Sequence, residues 1–392
     1  MSGVMEMAEE AWERGLGSVH DTLVCANHIE EDAIRLFINR TGEAEECSYC
    51  GRRKKVVELQ VLMEYITDAI MHFYTDPANF MSYNSREGGY LGNVYDASEL
   101  LNEHFELEID GNALFNDIHD SLDLNRAWAN EYEYHNDEAD FRYESWVAFQ
   151  NVVKHKSRFL FSSKRIFNFD DGVFSITEFL KLMGKQIRQM RMLTMLPKNT
   201  NLYRCRQHEH KDEVTGASHI CSPRDEHAIY PNRMSPAGIP MFYGAFEPET
   251  AENETLDLAN LDKPFYSIAE FKTRHELNLI DLSKVPAMPS RFEQRKWDVF
   301  YLIAFLRAFV HDFTKGIEKD GKIHIEYVPT QIITEYFRYE FSKAGAKPVD
   351  GIIYPSSKNR GKNACVLFMD HQQSLIDLEF IPASLKLRKL PI

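Results

Sequence analysis

The sequence has no apolar run long enough to cross a membrane and no secretory signal at its start. Its longest apolar stretch, from Val299 to Val310, is too short for a bilayer and contains Arg307. The first fifteen residues are acidic, and they lack the basic start and apolar segment of a signal peptide. These absences predict a soluble cytoplasmic protein in which the stretch 299–310 is a buried helix.

The chain also has fewer basic than acidic residues, 45 against 60, and few cysteines. Its net charge is −15 at pH 7 and its pI is about 5.5, which argues against non-specific binding to nucleic acid or to an anionic membrane surface. Six cysteines in 392 residues do not suggest a disulfide framework, so reduced thiols are expected. The length and the hydrophobic fraction of 44% suit a globular protein of two or three domains.

The pattern of apolar residues changes near residue 195. Before that point, apolar residues at helical spacing predict helices from Val57 to about Asp76, over 146–161 and over 176–195. After it, short runs such as NLYRCR, PMFYGAF, LNLIDL, GIIYP and ACVLFM predict strands. Two further helices, over 293–315 and 330–344, interrupt these strands.

This pattern predicts an α+β protein in three segments. Residues 1–55 would form a zinc-binding knuckle, residues 56–190 a mainly α-helical domain and residues 195–392 a mixed β core with helices.

Four residues near the start of the chain have the spacing of a metal site. Cys25 and His28 form a C-x2-H pair, and after eighteen residues Cys47 and Cys50 form a C-x2-C pair. Three thiolates and one imidazole make a closed tetrahedral site of the structural zinc type, with no open position for catalysis. Two unrelated pairs of buried residues, or a redox C-x2-C, are the alternatives. The other cysteines, Cys205, Cys221 and Cys365, are predicted to be core residues.

The second half carries residue types that suit a nucleotide site. Arg204 and Arg233 can bind phosphates in bidentate fashion, and Tyr243 can stack on a flat heterocycle. Glu254 can stabilise positive charge that develops on a sugar, and Ser356 can hydrogen-bond ribose or an amide. Taken singly, each has an ordinary explanation as a surface strand residue, a core aromatic or a solvated carboxylate.

The order and spacing of these residues are more specific than any one of them, because residues 199–370 resemble the RES domain. The matching motifs are Tyr203-Arg204, Arg233, Phe242-Tyr243, Glu249-Thr250-Ala251-x-x-Glu254 and Gly351-Ile352-Ile353-Tyr354-Pro355-Ser356. The stretch Tyr327-x-x-Thr330-Gln331 also looks like larger members of the family. Two departures are Asn232-Arg233-Met234, where the family often has Gly-Arg-Trp, and a long His-rich insertion between the two arginines.

The resemblance implies a fold like that of ADP-ribosylating toxins and an enzyme that degrades NAD by phosphorolysis or hydrolysis. By the same resemblance, Arg204 and Arg233 would bind phosphates, Tyr243 would stack nicotinamide, Glu254 would stabilise the cation and Ser356 (or its neighbour Ser357) would position the ribose. The implied partners are NAD and an antitoxin or immunity protein, and a second copy of the chain is a further candidate. Two alternatives remain: an ADP-ribosyltransferase that modifies a macromolecule, and a regulatory module with an inactive RES domain.

Two other segments carry narrower expectations. The insertion contains His208, His210, His219 and His227 at irregular spacing, which favours an exposed lid over the pocket rather than a second metal site. The N-terminal half is similar to HEPN-type helical domains attached to RES domains. Arg14 and His20 have the spacing of HEPN ribonucleases, but they precede the cysteine pairs in Gly-rich sequence, so ribonuclease activity is not expected.

Overall fold

The computed structural model describes residues 14–86, 88–123, 126–130, 138–159, 174–316, 322–342 and 346–390. The chain forms two compact units, each drawn from two stretches: Met1–Asp140 with Met288–Tyr301, and Phe141–Ala287 with Leu302–Ile392. The predicted α+β class is confirmed, with helices in the N-terminal region and a mixed sheet in the C-terminal region. The division into three segments stays a prediction.

The first unit contains short strands and helices. Its strands are β1 (Leu23–Cys25), β2 (Glu43–Glu46), β3 (Arg53–Glu58), β4 (Tyr83–Asn84) and β5 (Gly89–Tyr90). Strands β1, β3 and β2 form one antiparallel sheet, in that order, and β4 pairs with β5. Its helices are α1 (Asp32–Thr41), α2 (Leu59–Phe73), α3 (Ala97–Glu99) and α4 (Asn112–Asp120).

Helix α2 is the helix predicted from Val57, and its apolar stripe explains why it forms. Leu62, Met63, Ile66 and Ile70 are fully buried, together with Trp128, in the core of the first unit. Such a stripe stabilises a helix mainly through tertiary burial rather than through intrinsic propensity.

The second unit is built on a nine-stranded sheet. Its strands are β6 (Leu193–Leu196), β7 (Asn201–His208), β8 (Phe242–Ala245), β9 (Phe265–Thr273), β10 (Leu277–Asp281), β11 (Gly351–Pro355), β12 (Asn363–Leu367), β13 (Leu378–Phe380) and β14 (Lys386–Lys389). The order is β13-β9-β7-β8-β12-β11-β10-β6, and β14 also pairs with β9. Among these described strands every pairing is antiparallel except that of β10 with β11.

The remaining helices of the described chain lie wholly or partly in the second unit, and four of them supply its aromatic core. They are α5 (Glu138–His155), α6 (Ile176–Gln189), α7 (Ala217–Ile220), α8 (Pro248–Thr255), α9 (Trp297–Thr314), α10 (Ile323–Glu326), α11 (Val328–Tyr339) and α12 (His371–Asp377). Trp146, Phe179, Phe305, Phe309 and Phe337 are almost fully buried in that core. In the described residues, no helix is long and apolar enough to span a membrane.

Several helix boundaries differ from the sequence-based prediction. The helix predicted over 330–344 is α11, which spans Val328–Tyr339, and the helix predicted over 293–315 is α9, which begins at Trp297. The helix predicted over 146–161 is α5, which ends at His155, and positions 160 and 161 lie outside the described residues. The helix predicted over 176–195 ends at Gln189. Its last predicted turn is wrong, because Leu193–Leu196 pairs as strand β6 with β10.

The strand order brings the site segments together. β7, which carries Arg204, lies beside β8, which carries Tyr243. Helix α8, which carries Glu254, follows β8 after a short turn. Strand β11 ends at Pro355, one residue before Ser356, and reaches β8 through β12.

Candidate functional site

A cavity of about 880 Å³ lies in the second unit. Four of the predicted site residues line it: Arg204, Arg233, Tyr243 and Glu254. Ser356 is 6% exposed, and its hydroxyl donates a hydrogen bond to Glu254. Its neighbour Ser357 lines the cavity. The cavity is within the size range of sites for small molecules and cofactors.

Among the described residues, no carboxylate forms an ion pair with Arg204. Its Nη1 donates to the Tyr243 carbonyl at 2.6 Å and its guanidinium lies 5.0 Å from the centre of the Phe242 ring. Its Nε is buried and has no hydrogen-bond partner. Burial lowers the pKa of Arg204 to about 10, and no carboxylate is among the groups that counter this. A buried guanidinium with a free donor is a ready site for an anion.

Arg233 sits in a turn that is held from the side of helix α11. The Thr330 hydroxyl donates to the Arg233 carbonyl, and Gln331 Nε2 donates to the carbonyls of Asn232 at 2.8 Å and Ser235 at 3.2 Å. These contacts give a structural role to the Thr-Gln pair in the Tyr327-x-x-Thr330-Gln331 stretch.

The Arg233 side chain is itself fixed in place. Nη1 donates to the Phe313 carbonyl at 3.0 Å, and the guanidinium lies 5.6 Å from the centre of the Tyr327 ring. A guanidinium held by one nitrogen keeps its other donors for a ligand.

Tyr243 binds the same turn through its hydroxyl. The Met234 N–H donates to that oxygen at 3.3 Å, and the Ser235 hydroxyl lies 3.0 Å from it. Burial raises the pKa of Tyr243 to about 12, so the phenol is neutral at physiological pH. The residue therefore offers a ring and a positioned hydroxyl to the cavity rather than a charge.

Glu254 is oriented by Ser356. The Ser356 hydroxyl donates to Glu254 Oε1, and Ser356 Oγ accepts from the backbone N–H groups of Lys358 at 3.2 Å and Asn359 at 3.0 Å. A hydroxyl has one donor and two acceptor positions, and these contacts use all three. Ser356 thus has no hydrogen-bonding capacity left for a ribose, and it acts on the carboxylate instead.

The two serines should differ sharply when replaced. Ser356→Ala removes the donor to Glu254, so we expect kcat at this site to fall about 10- to 100-fold with little change in KM. Ser357→Ala removes the neighbouring hydroxyl, which lines the cavity but, in the described residues, forms no hydrogen bond with Glu254, so kcat should fall less than in Ser356→Ala. Steady-state kinetics on both variants checks this, and equal losses would contradict the separate role of Ser356.

The His-rich insertion forms part of the cavity wall. Residues from Ser218 to Tyr230 contribute lining side chains, and Arg206 Nη1 on β7 donates to the His219 carbonyl. His208 is buried, with its two ring nitrogens 2.8 Å from the His210 carbonyl and 2.9 Å from Ser267 Oγ. In the described residues, the insertion histidines do not form a metal-ligand group.

Sequence reasoning missed several lining residues. They are Tyr203, Arg206, Arg224, Tyr327, Tyr354 and Lys358. Tyr203, Tyr327 and Tyr354 lie inside motifs already singled out, so those motifs carried the signal. Arg206 lies in NLYRCR, which was predicted only as a strand, whereas Arg224 and Lys358 lay in stretches without a recognisable pattern.

The first unit brings the predicted metal ligands together. One ligand atom from each of Cys25, His28, Cys47 and Cys50 lies within 4.8 Å of the others, the one such group in the described residues. Cys25 Sγ is 3.8 Å from Cys50 Sγ. Two thiolates bound to zinc at about 2.3 Å in a tetrahedron lie about 3.8 Å apart.

The histidine is also prepared as a ligand. His28 Nε2 is buried without a hydrogen-bond partner, and Nδ1 lies 3.4 Å from the Asp110 carbonyl. Such a carbonyl fixes the tautomer in which Nε2 is free to bind a metal. Gly51 follows the last ligand with φ of 64°, a conformation that glycine adopts without strain, and its N–H donates to the Cys47 carbonyl at 2.9 Å.

Two further predictions concern the remaining residues. Cys205, Cys221 and Cys365 are buried free thiols, as expected of core cysteines. Arg14 and His20 lie outside any helix and contact different acids, Asp68 at 3.2 Å and Asp117 at 3.6 Å.

Comparison with known protein families gives two matches. The HEPN/RES N-terminal domain 1 model matches residues 40–166, and the RES domain model matches residues 201–384. Comparison with curated proteins and with solved structures returns no match. The second match covers the cavity with Arg204, Arg233, Tyr243, Glu254 and Ser356, and it is consistent with an NAD-related enzyme. The chain therefore belongs to the RES-domain family and carries a HEPN/RES N-terminal domain ahead of its RES domain.

Proposed function

We propose that the RES domain cleaves the bond between nicotinamide and ribose in NAD. The observation that carries the proposal is the pairing, in one cavity, of an uncompensated buried guanidinium with an oriented carboxylate. The Nε of Arg204 is buried without a hydrogen-bond partner, and Glu254 accepts a hydrogen bond from the Ser356 hydroxyl. The first suits a pyrophosphate, and the second suits an oxocarbenium-like transition state.

The other lining groups fit the same reaction. Arg233 would use its remaining donors for the second phosphate, and Tyr243, which lines the cavity, would stack its ring on nicotinamide. As the bond breaks, its electron pair goes to the pyridine nitrogen and positive charge develops on the ribose. Glu254 would stabilise that charge until water or phosphate attacks the anomeric carbon.

The test is to incubate the purified full-length protein with NAD, with and without phosphate, and to separate the products by chromatography. Nicotinamide with ADP-ribose would establish hydrolysis, and nicotinamide with ADP-ribose 1″-phosphate would establish phosphorolysis. Nicotinamide with label on a macromolecule would identify a transferase. Intact NAD under all conditions would contradict the proposal and favour a regulatory binding module.

Arg233→Ala should chiefly weaken substrate binding. We expect KM for NAD to rise about tenfold, because one phosphate loses its charged donors. Arg233→Lys keeps the charge without the planar fork and should lie between the alanine variant and wild type. Initial rates over a range of NAD concentrations measure this, and an unchanged KM in the alanine variant would argue against phosphate binding by Arg233.

We further propose that the Cys25, His28, Cys47 and Cys50 group binds a structural zinc ion. Two observations support this proposal: the distance of 3.8 Å between Cys25 Sγ and Cys50 Sγ, and the buried Nε2 of His28 without a hydrogen-bond partner. The four protein ligands would close the coordination shell, and the ion would hold the fold rather than take part in catalysis.

Because depletion of NAD is harmful to a cell, the proposed activity fits a toxin-type or defence effector. Such an effector would require restraint by an antitoxin or immunity protein. Co-purification of the native protein with and without the products of neighbouring genes would test this. Oligomeric state stays a prediction and is measured by light scattering on the same samples.

A further inference from the structure

Tyr354 carries a hydroxyl group that the fold itself does not use. The residue is 7% exposed and lines the cavity, and its side chain forms no hydrogen bond with the described residues. Tyr243, which lines the same cavity, differs in this respect, because its hydroxyl lies 3.0 Å from the Ser235 hydroxyl. The missing partner of a nearly buried hydroxyl that lines a cavity is expected to come from a ligand.

Strand geometry places Tyr354 on the Glu254 side of β11. The Ser356 N–H donates to the Lys362 carbonyl at 2.8 Å, which continues the pairing of β11 with β12 for one residue beyond Pro355. Successive side chains of an extended strand project to opposite faces, so Tyr354 shares a face with Ser356. Because Ser356 donates to Glu254 Oε1, Tyr354 and Glu254 lie on the same side of the sheet.

The Tyr354 phenol is a neutral hydrogen-bond donor. Burial raises the pKa of Tyr354 well above its ordinary value, and the charge of Glu254, the next largest cause, raises it further. Tyr354 therefore keeps its proton at physiological pH and can donate a hydrogen bond. The effect of Glu254 on this pKa also agrees with the placement of the two residues on one side of the sheet.

Glu254 supplies the complementary acceptor. Its Oε1 accepts from Ser356, and in the described part of the chain its Oε2 forms no hydrogen bond. A sugar hydroxyl both donates and accepts, so it can donate to this carboxylate oxygen while it accepts from the Tyr354 phenol. The 2′-hydroxyl of the nicotinamide ribose fits, because it is on the carbon next to the anomeric carbon at which Glu254 is proposed to act.

We infer that Tyr354 binds the 2′-hydroxyl of the nicotinamide ribose in the substrate. This role rests on the proposed function for the placement of that ribose. Tyr354 holds the ribose against Glu254 and makes efficient cleavage depend on the 2′-hydroxyl, and it keeps its own proton throughout the reaction. Its ring packs in the core of the second unit, so the hydroxyl oxygen alone serves the substrate.

The test removes one oxygen from either side of this contact in the full-length protein. Tyr354→Phe keeps the ring, and an NAD analogue with a 2′-deoxy nicotinamide ribose lacks the partner hydroxyl. The control variant is Tyr339→Phe, at an exposed tyrosine outside the cavity lining. The control substrate is the analogue with a 3′-deoxy nicotinamide ribose. Initial rates of nicotinamide release give kcat/KM for each combination, and thermal unfolding gives Tm.

We expect Tyr354→Phe to lower kcat/KM about tenfold relative to wild type, both for NAD and for the 3′-deoxy analogue. For the 2′-deoxy analogue, the variant and wild type should have the same kcat/KM, because the contact is already missing. Tm should not fall, since the lost hydroxyl has no partner among the described residues. Tyr339→Phe should match wild type on all three substrates.

An equal loss on all three substrates, or a fall in Tm of more than about 2 °C, would show a structural role and overturn the contact. A loss that disappears only with the 3′-deoxy analogue would overturn the assignment of the 2′-hydroxyl. If wild type cleaved NAD and Tyr354→Phe cleaved it equally well, the role of Tyr354 would fall and the proposed function would stand. Absence of cleavage by wild type would contradict both.

Discussion

Glu254→Gln is expected to lower kcat for NAD cleavage about 10²- to 10³-fold, the loss that follows removal of a preorganised transition-state charge. The amide matches the carboxylate in size, so no cavity opens. The Ser356 hydroxyl can still donate to the amide oxygen, so the side chain keeps its orientation. We therefore expect Tm to stay within about 2 °C of wild type. A large kinetic loss at constant stability would identify the missing charge as the cause.

The matched control for this experiment lies on the same helix. Glu249→Gln makes the same change of charge on α8 at an exposed position that does not line the cavity. It should retain nearly full activity. Product formation is followed by chromatography and stability by thermal unfolding. If Glu254→Gln kept more than half of the wild-type activity, the assignment of Glu254 would be wrong.

Cys47→Ala is expected to abolish metal binding and to destabilise the first unit severely. Structural zinc contributes about 10–16 kcal/mol in small zinc-binding peptides, and the strands beside this site are short. We expect the wild-type protein to contain stoichiometric zinc. The variant should lose it, and the Tm of the transition that reports the first unit should fall by more than about 10 °C.

Elemental analysis by mass spectrometry and circular dichroism melting measure the two effects. Cys205→Ala is the control, because it removes a buried thiol from the second unit without touching the metal ligands. It should keep its zinc and lose only packing energy. Full stability of a metal-free wild-type protein would refute the structural role of the ion.

Local sequence predicted those parts of the fold in which local preference and tertiary environment agree. The α2 stripe, the C-x2-H and C-x2-C pairs and strands such as Gly351–Pro355 are of this kind. Strand β9 was not predicted, since Phe265–Thr273 is buried on both faces over much of its length and shows no clean alternation. The stretch after Gln189 has helix-forming residues, yet its pairing with β10 makes it a strand.

The candidate site also has features that the sequence predicted and features that it did not. The identities of its arginines, tyrosine, glutamate and serine could be predicted from motif order. The contact of Ser356 with Glu254 could not, because it joins residues 102 positions apart and depends on the sheet that brings β11 close to α8. Arg224, in the insertion, lay outside any motif, and the structure was needed to find it in the cavity wall.

That long-range contact also bears on when activity arises during synthesis. Arg204, Arg233, Tyr243 and Glu254 all leave the ribosome at least 102 residues before Ser356. Strand β11 immediately precedes the serine, and strand β12 follows it. Non-local pairing forms late, after the segments that it joins are both available. Nascent and prematurely terminated chains should therefore be inert towards NAD, and a cell would have the whole interval of translation in which to supply an inhibitor.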